Sequence, residues 1–357
     1  MSDEKKLILR MLQEGKITED EAITLLDSIK DKKKATRTST DFDSLINKIS
    51  ETASKIGKKS QEMVSNFDFE DFTNTIFSSS TDLKNKAERL ASENIIGLEN
   101  PSLYVENQSG KIKIYSWDNE EIQVTADVSY DDRFIADTYD FISIRREDDK
   151  VYIEPNYDSV SGRYFSINLN IALPEKHFKE ISLKSTNANL EIENVKADSL
   201  LVKTINAKIS GKNIEAKEGE VSSTNARISL ENLSGDKLQI KTTNGKIDIK
   251  DVDYLDLEMK TTNGSLVVVN LGARTESIYA KTSNGNISIA LKNIFKPIKA
   301  KMKNNFKGLE ASYFADSIFT NFVTEDKVMV AYTDGYDENS DRLDIEATTT
   351  MGNINIK

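Results

Sequence analysis

Residues 239–252 read QIKTTNGKIDIKDV. Nineteen residues later nearly the same pattern recurs over 258–271 as EMKTTNGSLVVVNL. In both stretches a Thr-Thr-Asn-Gly tetrad stands between two runs in which apolar and polar residues alternate. Alternation with a period of two predicts β-strands with one buried face. Asn-Gly between such runs predicts a bend in the chain. The fold therefore depends on whether this spacing recurs elsewhere.

The same pattern recurs in six segments between residues 183 and 292. After an interruption over 293–345, a last copy closes the chain over 346–357, with Met351 in the asparagine slot. Ser109 and Gly110 stand at the corresponding point of an opening copy. The asparagines of the six segments follow one another at spacings of 19, 19, 19, 19 and 21 residues: Asn187, Asn206, Asn225, Asn244, Asn263 and Asn284.

A hairpin meander and a β-solenoid both use bends of this kind. A meander needs neither equal repeat lengths nor the same residue in the same slot, whereas solenoid coils stack in register about 4.8 Å apart. The equal spacing therefore favours a mainly β fold over residues 98–357, a single-stranded parallel β-helix or β-solenoid with coils of about 19 residues.

In such a solenoid the asparagines are expected to stack as a hydrogen-bonded ladder, like the Asn and Gln ladders of cross-β structures. The recurrent Asn is therefore interpreted as part of the scaffold. Threonines near each Asn are expected to form a second ladder: Thr204, Thr224, Thr243 and Thr262.

The first part of the chain has a different periodicity. Residues 1–30 predict two short helices, and Thr18 with Glu21 forms a capping box at the start of the second. Residues 31–41 predict a polar linker. Residues 42–97 predict an amphipathic helical region, with a third helix from about Leu83 to Ser92. Because such short helices bury little alone, residues 1–96 are expected to bind protein partners or to self-associate, with peripheral association with membrane proteins as a further possibility.

Composition excludes several classes of protein. The net charge is −11, so no nucleic-acid partner is expected. The chain has no cysteine, which excludes disulfides, thiolate zinc sites and cysteine nucleophiles. The N-terminal residues lack a secretory leader pattern, and no apolar run reaches about 18 residues. These observations predict a cytoplasmic location.

Residues typical of catalysis are scarce. The single histidine, His177, has no partner nearby in the sequence, and no nucleophile motif or phosphate-binding glycine loop is present. We therefore expect that the protein is not an enzyme and that it binds neither a cofactor nor a metal ion. The acidic residues Asp334, Asp337, Glu338 and Asp341 offer oxygen ligands of the kind that Ca²⁺ takes, but they lack the EF-hand spacing, so a solvated loop is favoured.

Four lysines precede the bends at equivalent positions, and a solenoid would align them along one edge: Lys203, Lys241, Lys260 and Lys281. Two interpretations remain open. The row is either a solvated face that resists aggregation or a strip that binds an acidic partner.

Two resemblances follow from these patterns. Gly15, Ile17, Thr18, Glu21 and the pair at 25–26 resemble a SHOCT-like bihelical module. Together with the repeat, this module resembles the bacterial putative-adhesin β-solenoid family, the YvlB/LiaG-like proteins. The resemblance implies a link to the cell-envelope stress response and no agreed catalytic residues. It favours a non-catalytic, protein-binding scaffold. The alternative is a carbohydrate-binding or carbohydrate-active adhesin-like β-helix at the cell surface.

Overall fold

A computed structural model of the chain describes residues 83–131, 139–156, 165–291, 294–305, 319–338 and 341–357. The chain divides into two units, Met1–Thr81 and Asp82–Lys357. The predictions of a bihelical module, of a linker and of helices over 42–82 lie outside the described residues. The described part of the second unit is built from β-strands.

The strands are β1 (Asn85–Asn94), β2 (Ser102–Asn107), β3 (Gly110–Trp117), β4 (Glu121–Tyr130), β5 (Ile142–Glu147), β6 (Lys150–Pro155), β7 (Phe165–Pro174), β8 (His177–Ser185), β9 (Asn189–Thr204), β10 (Ile209–Ser223), β11 (Ile228–Thr242), β12 (Ile247–Lys260), β13 (Leu266–Leu271), β14 (Ser277–Lys281), β15 (Ile287–Ile289), β16 (Ile298–Asn304), β17 (Phe319–Glu325), β18 (Val328–Thr333), β19 (Leu343–Thr349) and β20 (Ile354–Ile356).

Hydrogen bonding arranges these strands in two ladders that share the long strands β9 to β12. Ladder A runs β1-β4-β7-β3, through the first halves of β9 to β12, and on to β13-β15-β20. Ladder B runs β5-β6-β2-β8, through their second halves, and on to β14-β19-β16-β18-β17. The long strands pair in parallel, so the repeats are stacked coils and not hairpins.

Each long strand makes most of one coil, and each paired residue faces the residue one repeat further along the chain. Ile209 pairs with Ile228, and Ile228 pairs with Ile247. A bend in the middle of each strand carries the chain from ladder A to ladder B. The bend that contains the ladder asparagine then returns it to ladder A of the next coil. The coil of 19 residues predicted from the sequence is present in this part of the chain.

One hydrophobic core runs between the two ladders. The inward positions of each coil are apolar and buried, as Leu238, Ile240, Ile247 and Ile249 illustrate. Within the long strands β9 to β12, the core also admits one large ring, Tyr254, which is 1% exposed.

The C-terminal strands do not follow chain order. The final coil, β19 and β20, stacks directly on β14 and β15. The segment between them supplies β16, β18 and β17, which continue ladder B beyond β19. Ile298, Ala300 and Met302 of β16 are buried, so this addition covers core at the end of the coil stack. In the described residues, the interruption predicted over 293–345 therefore includes β16, β17 and β18, and the final coil begins earlier than predicted, at Leu343.

The third predicted helix, from about Leu83 to Ser92, is wrong. Asn85–Asn94 forms β1, which pairs antiparallel with β4 along its whole length. The segment is rich in Ala, Glu, Lys and Arg, which favour a helix. Ten cross-strand pairs with β4 outweigh that weak local preference, and Ala87 and Ala91 pack against the core.

Candidate binding surface

The six predicted asparagines lie in one column on one corner of the coils. Each side-chain amide donates from Nδ2 to the Oδ1 of the asparagine one coil before it. The donor–acceptor distances, in chain order, are 3.0 Å for Asn206 to Asn187, 2.8 Å for Asn225 to Asn206, 2.7 Å for Asn244 to Asn225, 2.8 Å for Asn263 to Asn244 and 2.7 Å for Asn284 to Asn263. Met351 takes the next place, and its backbone N donates to Ser283 O at 2.8 Å.

A buried column of hydroxyls supports this corner from inside. Thr261 Oγ1 donates to Gly245 O at 3.0 Å, and Thr282 Oγ1 donates to Gly264 O at 2.8 Å. Both hydroxyls thus bind a bend of the coil before them. The column consists of Ser185, Thr204, Ser223, Thr242, Thr261, Thr282 and Thr349, all buried. Of the threonines expected to form a ladder, only Thr204 belongs to it.

The other three expected threonines lie one residue further along the chain. Thr224, Thr243 and Thr262 are half-buried or exposed. Their backbone groups link the coils: Thr243 N donates to Thr224 O, and Thr262 N donates to Thr243 O, both at 3.1 Å. Their hydroxyls therefore belong to the surface of the corner.

The predicted lysine strip is in register for part of its length. Lys241 pairs with Lys260, and Lys260 pairs with Lys281, so three ammonium-bearing side chains lie on successive coils. Ser222 separates Lys203 from Lys241 in the same row. Lys281 is exposed and makes no ion pair within the part of the chain that the structure describes.

Carboxylates on the neighbouring row compensate much of this charge. Lys203 Nζ lies 3.2 Å from Glu220 Oε1, and Lys241 Nζ lies 3.9 Å from Glu258 Oε1. Lys260 forms an ion pair with the same Glu258. All of these groups are partly exposed, so solvent weakens each pair. The row is therefore an ordered strip of cations, with carboxylates along one flank.

A second basic row, which was not predicted from the sequence, lies on the other side of the asparagine column. Lys208, Arg227 and Lys246 occupy equivalent positions just after the bends on successive coils. Arg227 and Lys246 both pair with Asp248. The sequence does indicate this row, because a basic residue stands two positions after each of Asn206, Asn225 and Asn244.

The stacked corners share one property of composition. They span 184–189, 203–208, 222–227, 241–246, 260–265, 281–286 and 348–353, and we call them together the basic corner. These segments contain no Asp, no Glu and no aromatic residue, although the whole chain has 59 acidic residues. Their eight basic residues are Lys184, Lys203, Lys208, Arg227, Lys241, Lys246, Lys260 and Lys281.

The opposite bend of each coil was not singled out in the sequence. It uses a residue in the left-handed region, with φ between 55° and 58°: Asn194, Asn213, Asn232, Asp251 and Asn270. Asn and Asp tolerate this backbone better than other non-glycine residues. Their exact spacing of 19 residues was the available signal. We call this bend the left-handed corner.

The left-handed corner has its own side-chain ladder, which Asp251 modifies. Asn213 Nδ2 donates to Asn194 Oδ1 at 2.7 Å, and Asn232 Nδ2 donates to Asn213 Oδ1 at 2.8 Å. The hydrogen bond from Asn270 to Asp251, at 2.7 Å, lowers the pKa of the Asp251 carboxyl. A carboxylate has no proton to donate to Asn232.

Acidic residues gather beside the left-handed corner, and lysines lower their pKa values. The hydrogen bond from Lys250 lowers the pKa of Glu231, which it contacts at 2.9 Å. Glu191 lies instead in the row of Asp248, next to the basic corner, and the hydrogen bond from Lys111 lowers its pKa although partial burial opposes this effect. The left-handed corner includes a carboxylate, Asp251, whereas the segments of the basic corner contain none.

The outer face of ladder B carries a pair of stacked tyrosines near its N-terminal end. The rings of Tyr104 and Tyr152 are 5.0 Å apart and nearly parallel, and the guanidinium of Arg145 lies 4.1 Å from the Tyr152 ring centroid. Burial, together with a 2.8 Å hydrogen bond to Glu180, raises the pKa of Tyr104 to about 12. Both faces of the Tyr152 ring are thus occupied, which leaves it no open platform for a sugar.

The remaining sequence candidates lie in surface ion pairs. His177 Nε2 is 2.9 Å from Asp198 Oδ1, and hydrogen bonds from Lys217 and then His177 lower the pKa of the Asp198 carboxyl. In the acidic segment, Glu338 contacts Lys299 at 3.7 Å and Asp341 contacts Lys296 at 3.2 Å. Among the described residues, no group of three or more acidic or histidine side chains is placed to hold a metal ion.

Comparison with known proteins gives the class to which this fold belongs. Residues 101–357 match the Toastrack DUF4097 family, so the chain belongs to that family. Residues 3–34 match a SHOCT-like domain. Both matches confirm the resemblances drawn from the sequence. No curated protein matches the chain.

Several solved structures match this chain at low sequence identity. A putative adhesin from Bacteroides fragilis NCTC 9343 is 12% identical with a TM-score of 0.43, covering 77% of this chain and 98% of that one. A putative cell adhesion protein from Clostridium sporogenes ATCC 15579 is 15% identical with a TM-score of 0.27, covering 76% and 99%. A putative lipid binding protein from Parabacteroides distasonis ATCC 8503 is 12% identical with a TM-score of 0.40, covering 77% and 97%.

The predicted cytoplasmic location is not upheld, since the similar solved structures include a putative cell adhesion protein and putative adhesins. That prediction rested on the lack of a recognisable leader and of a long apolar run. Such a lack does not by itself assign a location. In the part of the chain that the structure describes, no helix is long and apolar enough to cross a bilayer.

Proposed function

We propose that this protein is a non-catalytic binding scaffold whose basic corner is the contact surface for a partner. The observation that carries the proposal is the in-register stacking of seven acid-free corners on successive coils. Repeat proteins commonly bind through an extended surface that stacked units build together. The partner expected here lies along the solenoid axis and contacts several coils at once.

The corner is well ordered before any partner arrives. The asparagine ladder and the buried hydroxyl column hold each bend against the one before it. Flanking carboxylates restrain the lysine side chains. A surface of this kind loses little conformational entropy when it binds, so more of the contact energy contributes to affinity.

The contacts of the titratable groups support a structural role for them. The pKa shifts of Asp198, Glu231 and Asp251 arise from ion pairs and ladder hydrogen bonds on the surface. His177 faces a carboxylate that Lys217 already binds. We therefore propose no catalytic role. We also set the carbohydrate-binding alternative second, because the tyrosine pair presents no open face of Tyr152.

Two further parts of the proposal come from the sequence. Residues 1–96 would bring partners or a second copy to the scaffold, and the family resemblance links such a scaffold to the envelope stress response. Removing residues 1–82 tests the first part while keeping β1, which begins at Asn85. Loss of partner capture in that variant is the expected result, and unchanged capture would contradict docking through this region.

Site-specific photo-crosslinking in the cells that make the protein tests the contact surface. A photoreactive residue replaces Lys260 on the basic corner or, as the matched control, Lys250 beside the left-handed corner; both lysines are ion-paired and partly exposed. We expect one discrete adduct from position 260 and none from position 250. Adducts of equal yield at both positions, or none at 260, would contradict the proposal.

A further inference from the structure

We propose that the ligand of the basic corner is a linear phosphate polymer without bases, lying along the solenoid axis. This inference rests on the proposed function and adds the ligand class. It follows from three properties of the corner: the sign and spacing of its charges, the kind of hydrogen-bonding groups it leaves free, and the residue types it lacks.

The first property is a row of seven in-register positions, five of which are lysines and two of which, Ser222 and Thr348, carry hydroxyls. The row from Lys184 to Thr348 crosses six coil-to-coil steps. At about 4.8 Å a step, the strip is about 29 Å long. No carboxylate belongs to any of its segments, and the acidic residues that reach it come from the flanks. A flexible polyanion that follows the row therefore meets no carboxylate within it, and the carboxylates of Glu220 and Glu258 lie on its flank.

The second property is a surface rich in donors. The backbone groups of the bends are used between coils; for example, Asn225 N donates to Ile205 O at 2.9 Å, and Asn244 N donates to Thr224 O at 2.8 Å. The asparagine amides bind one another. Lysine ammonium groups and surface hydroxyls remain for a ligand. An ammonium has three donor protons, so one ion pair leaves two.

A phosphate chain matches such a surface better than an acidic peptide does. Bridging and terminal phosphate oxygens only accept hydrogen bonds, and lysine is a common phosphate ligand. A peptide also carries one N–H donor per residue, and those donors need acceptors. The corner supplies no carboxylate, and the carbonyls of Thr224, Thr243 and Thr262 already accept hydrogen bonds from the next coil. The acceptor-only polymer is therefore favoured.

The third property is the lack of aromatic residues in the seven segments. Proteins that bind single-stranded nucleic acid stack its bases on aromatic side chains. On the flank of the corner, the ring of Tyr279 already lies 4.9 Å from the Lys260 ammonium. The seven segments themselves offer the bases of a nucleic acid no stacking partner, and a phosphate chain that lacks bases loses nothing.

The test measures binding of inorganic polyphosphate, long enough to span the corner, to the full chain at several salt concentrations. One variant carries Lys203→Gln, Lys241→Gln, Lys260→Gln and Lys281→Gln. Its control carries Lys196→Gln, Lys212→Gln, Lys217→Gln and Lys250→Gln, which changes the net charge by the same amount on other parts of the coils. Thermal unfolding of both variants checks that the solenoid is intact.

We expect the corner variant to bind at least about ten-fold more weakly, and its slope of log affinity against log salt to fall by about one per lysine removed. The control variant should keep both the affinity and the slope. Equal losses in the two variants would overturn the proposal, because net charge alone would then account for binding. So would an unaltered affinity in the corner variant.

Two other probes test the ligand class on the unsubstituted chain. Orthophosphate at the same phosphate concentration should not compete, since the strip gains its affinity from many linked contacts. Polyglutamate of similar length should bind at least about ten-fold more weakly than polyphosphate; binding of equal strength would overturn the phosphate assignment. If polyphosphate does not bind while crosslinks from position 260 persist, the ligand class is wrong and the scaffold proposal stands.

Discussion

Single residues hold neighbouring coils together through two columns on the basic corner, one exposed and one buried. The asparagine column was predictable, because the same residue recurs at a strict spacing. In three coils, the threonine predicted for the hydroxyl column is the residue after the one that belongs to the column. The dipeptide Thr-Thr does not indicate which hydroxyl points inward. The alternation of inward and outward side chains along the preceding strand decides it. Thr242 and Thr261 face the core, whereas Thr243 and Thr262 do not.

Truncation of one ladder asparagine should weaken the coil stack in proportion to the hydrogen bonds lost. Asn244 both donates to Asn225 and accepts from Asn263, whereas Asn284 donates to Asn263 and is followed by Met351 in the column. We expect Asn244→Ala to lower the free energy of unfolding by about 1–3 kcal/mol, and Asn284→Ala by about half as much. Chemical denaturation measures both, and equal effects would contradict the ladder.

The glycines after the asparagines have a specific steric role in the later coils. A Cβ built on Gly264 would lie 1.9 Å from Gly245 O. We therefore expect Gly264→Ala to cost roughly 1–3 kcal/mol through overpacking against backbone. The control is Ala207→Gly, at the same slot of an earlier coil that already holds a methyl group, and it should cost no more than about 1 kcal/mol. A smaller loss for Gly264→Ala than for this control would contradict the close stacking.

The strands could be predicted where one repeat directly follows another. They could not be predicted where a strand pairs with one that is distant in the sequence. Strands β9 to β12 follow from alternation and spacing. Strand β1 does not, because its composition favours a helix and only β4 makes it a strand. The pairing of β16 with β19 depends on contacts that no local pattern encodes. The left-handed corner was encoded by Asn and Asp at a fixed spacing, but variable neighbours such as Gly211 and Asp253 obscured it.

Each coil is expected to depend on its neighbours for stability, because every inward side chain packs between two coils. Ile247 is fully buried, and Lys246 beside it is exposed. Ile247→Ala should lower the free energy of unfolding by about 2–5 kcal/mol. Lys246→Ala should change it by less than about 0.5 kcal/mol. Urea unfolding compares the two, and similar losses would show that the inward and outward positions had been assigned wrongly.

The coils distribute their charges unevenly between two corners. The basic corner carries cations and no carboxylate although the chain has a net charge of −11, whereas carboxylates and lysines lie together beside the left-handed corner. The sequence predicted one lysine row on the basic corner. The second row and the acid-free character of the stacked segments emerge only when the coils are placed in register, since the residues concerned are separated by whole repeats.

Stability should depend on pH through the carboxyl groups whose pKa is lowered: Glu191, Asp198, Glu231 and Asp251. In the unfolded chain these groups return to ordinary values of 4.5 for Glu and 3.8 for Asp, so in acid the unfolded state binds more protons. Their contribution is present above those values and is lost as the pH falls through the lower folded ones. The urea concentration at the midpoint of unfolding should therefore decrease when the pH is lowered below about 4. A midpoint that rises on acidification would contradict these pairings.

The central claim is that the coils stack in register and that the last corner stacks on the sixth in spite of the long segment between them. The chain has no cysteine, so pairs of spin labels can be placed without background. Five coil steps separate Lys184 from Lys281, and six separate it from Thr348.

Pulsed electron resonance on labels at 184 and 281, and at 184 and 348, measures these separations directly. The structure predicts narrow distributions centred at about 24 Å and about 29 Å, one step of about 4.8 Å apart. A separation for the 184 and 348 pair that is much longer, or too broad to define, would contradict stacking of the final coil and with it the continuous basic corner.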